Sequence, residues 1–136
     1  MVRRSRMVGR VVMVGVLACG VGLGAVSASA GALDGKTFVG EMGKLKNSMK
    51  GDKDSFVFKD GTFTSTGCVR YGFTPASYSD GMKEQAMTFH SEATSTKEGT
   101  MIWDGVVEGN IIKGTARWEK KPGKIKEQYW FRGEAS

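Results

Sequence analysis

The sequence predicts an all-β domain: a small antiparallel up-and-down barrel of about eight strands, with a two-sheet sandwich as the alternative. Three observations lead there. After residue 30 no long run repeats apolar residues at helical spacing, while period-two alternation recurs throughout. Turn sequences at Asp60-Gly61, Gly109-Asn110 and Lys121-Pro122-Gly123-Lys124 punctuate that alternation. The registers these turns impose agree on which face is apolar, and such agreement between levels marks a sequence that specifies its fold. A meander of this length closes on itself because closure removes unpaired edge strands.

The first strand runs from Lys36 to Met42, and the charged stretch Gly43 to Asp54 (GKLKNSMKGDKD) is expected as a loop. In SFVFKDGTFTST, a two-residue turn at Asp60-Gly61 pairs Lys59 with Thr62, setting Phe58 against Phe63 and Phe56 against Ser65 on one face. Val57, Lys59, Thr62 and Thr64 occupy the other, largely polar face, as a half-buried hairpin requires. A further strand is expected over Val69 to Phe73. Met87 and Phe89 in KEQAMTFHSEA then supply an apolar face that lies beside Trp103 after a turn at Thr96 to Gly99.

In TMIWDGVVEGNIIKGTARW the Gly109-Asn110 turn pairs Glu108 with Ile111. Stepping outward sets Val107 against Ile112, Gly105 against Gly114, Trp103 against Ala116 and Met101 against Trp118, all on one face. Large residues oppose small ones, which fills a layer without collision, and facing glycines permit a bend or a close approach. The last hairpin, pairing Lys120 with Ile125, places Tyr129 against Ala116 and Phe131 against Gly114. Rings again land beside small residues.

The first thirty residues have a different character. Arg3, Arg4, Arg6 and Arg10 precede the apolar run VVMVGVLACGVGLGAV, Val11 to Val26, and Ala28-Ser29-Ala30 follows. This is the pattern of a secretory signal cleaved before Gly31. Residues 1–30 are therefore expected as signal peptide and 31–136 as one domain, exported to the periplasm or the extracellular space. The apolar run is sixteen residues long, short of the ~20 a membrane span needs, so no transmembrane span is expected in the mature chain. Lipidation at Cys19 is a minor alternative, because Val16-Leu17-Ala18-Cys19 approximates a lipobox. Without the signal the net charge falls from +6 to +2, sixteen basic residues against fourteen acidic. So weak a net field argues against nucleic acid as a partner.

Residues that identify reaction centres are sparse. Nucleophilic catalysis needs a base beside the nucleophile, and the only histidine, His90, falls on the polar face of its strand with Thr88 and Glu92. Cys68 and His90 alone do not make a zinc or copper site, and Asp52 and Asp54 lack the glycine and distal glutamate of an EF-hand loop. No glycine lies in a strand-to-helix phosphate loop, and no pair among the many carboxylates stands out as a glycosidase pair. No metal, cofactor or enzymatic activity is expected.

Phe56, Phe58, Phe63, Phe89, Trp103, Trp118, Tyr129 and Phe131 form the candidate core. They carry a second expectation. Gly105, Gly114 and Ala116 leave a hollow walled by Phe89, Trp103, Trp118, Tyr129 and Phe131, able to hold a small apolar ligand or envelope component. The alternative is a solid core in a structural or interaction module whose partner is an envelope protein.

Cys68 is the only thiol after residue 30, so that stretch forms no internal disulfide. An unbroken strand from Phe63 turns Val69, Tyr71 and Phe73 inward and leaves Cys68 outside with Arg70, whereas a break at Gly67 points the sulfur inward. A buried or capped side chain is the first expectation for Cys68, since free cysteine behaves as a small hydrophobe. The alternative is a reactive thiol whose thiolate Arg70, two residues on, stabilises in either geometry.

The layout LDGKTFVGE, FVFKDGTFTSTGC, YGF, MIWDGVVEGNIIKGTARW and YWFRG resembles that of a group of short secreted bacterial proteins with no assigned activity. That resemblance implies a single exported β domain and brings no functional residues with it. In architecture alone the chain also resembles the calycins, which implies a barrel and nothing about function.

Overall fold

Alternation and turn chemistry yield eight strands in the computed structural model, which describes residues 31–136. They are β1 (Thr37–Lys44), β2 (Asp52–Lys59), β3 (Thr62–Ser65), β4 (Ala76–Lys83), β5 (Ala86–Ser95), β6 (Gly99–Glu108), β7 (Ile111–Lys121) and β8 (Lys124–Ala135). Each pairs antiparallel with its sequence neighbours, and β8 returns to pair with β1, closing an up-and-down barrel. The sandwich alternative is thereby excluded. Between β3 and β4 lies a single turn of helix, α1 (Thr66–Val69). The signal peptide and the Cys19 alternative fall on residues 1–30, outside the described residues. Every strand finds both of its partners within 31–136, so the barrel is complete in that stretch. Among the described residues no helix is long and apolar enough to cross a membrane.

The registers follow from the turns. Asp60 and Gly61 take φ of 52° and 77°, the left-handed pair that lets a two-residue turn match the twist of its strands. Phe58 therefore faces Phe63, and Phe56 faces Ser65. The Gly109-Asn110 turn sets every pair from Glu108–Ile111 to Met101–Trp118 as expected. Across the last hairpin Ala116 faces Tyr129 and Gly114 faces Phe131, but Ile125 pairs with Glu119, not Lys120. A bulge around Glu119 absorbs the difference. Its carboxylate accepts hydrogen bonds from the Gly123 N–H and from Arg117 Nε, which hold its pKa below the usual range. Phe89 lies on the expected face but opposite Gly105, and Ser91 is the residue opposite Trp103.

Three segments depart from expectation. β2 begins at Asp52, so the charged loop ends at Gly51 and Asp54 is a buried strand residue. Val69 to Phe73 is not a strand: the chain coils into α1 at Thr66, which leaves Val69 and Tyr71 exposed while Phe73 is buried. The missing strand is β4, ASYSDGMK, whose small and polar residues give little apolar alternation. β4 meets β3 through only two residue pairs, Thr62–Ser77 and Phe63–Ala76.

Phe38, Phe56, Phe58, Phe63, Phe89, Trp103 and Phe131 are at most 3% exposed and fill the barrel's middle. Phe58 lies 5.0 Å from Phe89, Phe63 lies 5.0 Å from Trp103, and Trp103 lies 5.2 Å from Phe131, all three edge to face. The hollow expected at Gly105 and Gly114 is therefore filled. One row across the sheet reads Phe89, Gly105, Gly114, Phe131, and both rings lean over the glycines. A Cβ on Gly105 would stand 2.6 Å from Phe89 Cε1 and 2.8 Å from Phe131 Cζ. Close approach of the two rings, not an empty space, requires glycine there.

Candidate functional site

Antiparallel order puts the β1–β2, β3–β4, β5–β6 and β7–β8 connections at one end of the barrel and the remaining turns, with residues 31–36, at the other. The second end is sealed by Leu33, which is 1% exposed. Tyr78 Oη donates a hydrogen bond to Asp34 (2.8 Å) and accepts one from the Leu33 N–H (3.0 Å), while the Gly61 N–H donates to the same carboxylate. Burial and the bond to Asp34 push the Tyr78 pKa up, so the phenol stays a donor at physiological pH.

The first end is open. Inside its rim lies a cavity of about 560 Å³, walled by Met42 of β1, Met101 of β6, Trp118 of β7 and Tyr129 of β8, with Cys68 and Phe73 from the β3–β4 connection. Lys44, Lys50, Lys53, Arg70 and Glu98 stand around it. The size falls within the ~300–1,000 Å³ of small-molecule pockets. The Trp118 indole is fixed: Nε1 donates to the Glu98 carbonyl, and the Lys126 ammonium sits 5.6 Å from the ring centroid.

One wall depends on Asp54. Only 7% exposed, its carboxylate accepts hydrogen bonds from Ser65 Oγ (2.5 Å), Ser55 N–H (2.7 Å), Gly67 N–H (2.8 Å) and Thr66 Oγ1 (3.3 Å). A residue of β2 thus caps α1, a service the local N-cap Ser65 does not provide. The turn at Gly67 points Cys68 inward, the outcome expected of a break there. Burial pushes the thiol pKa up to about 11, with the Ser65 hydrogen bond opposing, the Asp54 charge adding, and Arg70 opposing least. The expected Arg70-stabilised thiolate is corrected accordingly: Cys68 is protonated at neutral pH, and the exposed Arg70 lies 5.2 Å from the Tyr71 ring.

The five rings expected around a ligand divide into two groups. Trp118 and Tyr129 line the mouth, whereas Phe89, Trp103 and Phe131 belong to the packed core. Met101 is recoverable from the register that pairs it with Trp118. Met42, Phe73 and Asp54 are not, because closure of β8 on β1 and the coil at Gly67 bring them to the mouth. A second hollow, about 850 Å³, is a wide groove beside Val106, Thr115, Trp130 and Arg132, and it also reaches Gly105, Gly114 and the core rings Phe89 and Phe131. The mouth is the more enclosed of the two. No group of three or more His, Cys, Asp or Glu able to hold a metal occurs among the described residues.

On the outer wall His90 sits between two acids, with Nδ1 2.6 Å from Asp104 and Nε2 2.9 Å from Glu92. These bonds raise its pKa above the ordinary 6.5. Protonated His90 therefore favours the folded state; the contribution is complete below about 6.5 and is lost as pH rises through the raised folded value. The three side chains are 42–58% exposed, so solvent screening holds the effect under ~1 kcal/mol. His90→Gln is expected to lower the melting temperature slightly at pH 5 and not at pH 9; scanning calorimetry at both pH values checks this, and equal losses would contradict it.

Comparison with protein-family models, curated proteins and solved structures returns no match.

Proposed function

We propose that this is an exported, non-enzymatic barrel that holds a small, largely apolar ligand in its open-end mouth. The observation that carries the reading is the contrast within one barrel: a packed middle and a sealed end beside an unfilled apolar mouth of about 560 Å³. Side chains left lining an open space forgo burial worth about 25 cal/mol per Å². A ligand laid on Trp118, Tyr129, Met42 and Met101 recovers it.

The lining supports binding over catalysis. Its thiol is protonated at neutral pH, and its buried carboxylate is committed to four donors that hold α1. Export is supported by the arginine-led apolar run and the Ala28-Ser29-Ala30 sequence.

The three tryptophans report different places: Trp103 the core, Trp118 the mouth and Trp130 the wide groove. Titration with straight-chain alcohols and an anilinonaphthalene dye is expected to shift tryptophan emission. Trp118→Phe should remove the shift and weaken binding about 3- to 10-fold, the loss expected for ~0.5–1.5 kcal/mol of aromatic contact. Trp130→Phe should leave both intact. A silent Trp118 across the whole series would instead favour the interaction-module alternative.

A further inference from the structure

The near-neutral charge of residues 31–136 conceals a separation along the barrel axis. Within three residues of the four open-end connections lie ten Lys and Arg but only four Asp and Glu. The same count at the sealed end, chain termini included, gives four against five. Moreover, the open-end acids are largely occupied. Asp54 is buried under α1, Glu98 is bound to Lys120 at 3.1 Å, and Glu119 is turned onto Arg117 and Gly123. Among the described residues Lys46, Lys50, Lys53, Arg70, Lys121 and Lys124 have no ion-pair partner.

Exposed apolar side chains gather at the same end. Of eight large ones on the described surface, five are here: Leu45 (45% exposed), Met49 (90%), Val69 (50%), Tyr71 (49%) and Ile125 (53%). They lie on or directly beside three of the four connections that frame the mouth.

We propose that the open end docks on an anionic phospholipid surface with the mouth facing the bilayer. The lysines meet the headgroup phosphates, and Leu45, Met49 and Ile125 enter the interfacial layer. Charge complementarity selects an anionic partner, and the interleaved apolar side chains select lipid. A nucleic acid would neutralise the lysines but give Met49 and Ile125 no apolar medium to enter. Docking stands independently of the ligand reading; together they give a small apolar ligand a dry route between bilayer and mouth.

The test is vesicle flotation of residues 31–136, which contain the whole barrel, using phosphatidylcholine alone and phosphatidylcholine with phosphatidylglycerol. Binding to the anionic vesicles is expected, weakening as salt rises. Lys46→Glu, Lys50→Glu and Lys124→Glu together should reduce it at least about tenfold. Lys36→Glu, Lys59→Glu and Lys83→Glu, an equal charge change at the sealed end, should have a much smaller effect. Leu45→Ser with Met49→Ser should weaken vesicle binding at unchanged charge, with unchanged melting temperatures verifying the fold of each variant. Equal loss from both lysine sets, equal binding to neutral vesicles, or capture of duplex DNA that exceeds vesicle binding and ignores the Leu45 and Met49 changes would each overturn the proposal.

Discussion

Trp103→Ala is expected to destabilise the barrel by about 3–5 kcal/mol, the range for truncating a buried aromatic side chain. The indole is 1% exposed and touches rings on three sides, with Phe63 at 5.0 Å, Phe131 at 5.2 Å and Phe56 at 6.2 Å. What decides the size of the loss is the inability of the site to collapse. Trp103 is flanked across the sheet by Ser91 and Ala116, neither long enough to reach into the vacated volume. The remaining cavity therefore stays open, and its cost adds to the lost transfer free energy. Against a total of roughly 5–15 kcal/mol for a domain this size, the change removes a large share. Urea unfolding measures it, and Trp103→Phe should recover much of the loss. A deficit under ~1 kcal/mol for alanine would mean that the rings do not form a close-packed unit.

Asp54→Ala is expected to cost about 2–4 kcal/mol and, more diagnostically, to expose Cys68. Removing the carboxylate leaves the Ser65 hydroxyl and the Gly67 N–H without their acceptor, and each unsatisfied buried donor costs about 1–3 kcal/mol. With its cap gone, α1 has little to hold it, since one turn of helix is not self-supporting. The thiol then returns toward the ordinary cysteine range from its raised value of about 11. Alkylation by iodoacetamide at pH 8 should accelerate by about an order of magnitude, because the thiolate is the reacting species. Asp54→Asn keeps an acceptor and should fall between. Unchanged thiol reactivity in a folded Asp54→Ala protein would show that something else secures this wall. Ligand affinity should fall in parallel, because Cys68 and Phe73 belong to the same wall.

The barrel and most of its registers are legible in the sequence because its hairpins are local. Asp60-Gly61 and Gly109-Asn110 each fix a row of partners without reference to the rest of the chain. The third turn fixes Tyr129 and Phe131 but not Ile125, because the bulge depends on where the Glu119 side chain finds its donors. Longer-range features leave weaker traces. β4 is a strand because β5 offers it an edge, not because ASYSDGMK alternates strongly. Asp54 reads as one more loop charge until Ser65 and Gly67, eleven and thirteen residues on, arrive beside it. Of the mouth, Trp118, Tyr129 and their facing partners can be named from turns alone. That the middle is solid and only one end hollow depends on rings leaning across four strands. The axial separation of charge likewise becomes visible only once topology assigns each connection to an end.

Closure also sets the order in which the chain can reach this structure. Seven of the eight pairings join consecutive strands, whereas β1 and β8 bring Phe38 opposite Ala135 and enclose nearly the whole described chain. The entropy of joining two points grows with the logarithm of the chain between them, so this seam is the costliest to form unaided and the one most dependent on hairpins already in place. Until it forms, an eight-residue β1 and a twelve-residue β8 each show a bare edge to any other copy of the chain. Gly40 meets that edge so closely that a Cβ there would lie 1.9 Å from the Arg132 carbonyl oxygen. The seam accepts bare backbone at that point, which makes β1 a better match for β8 than a strand carrying a side chain there.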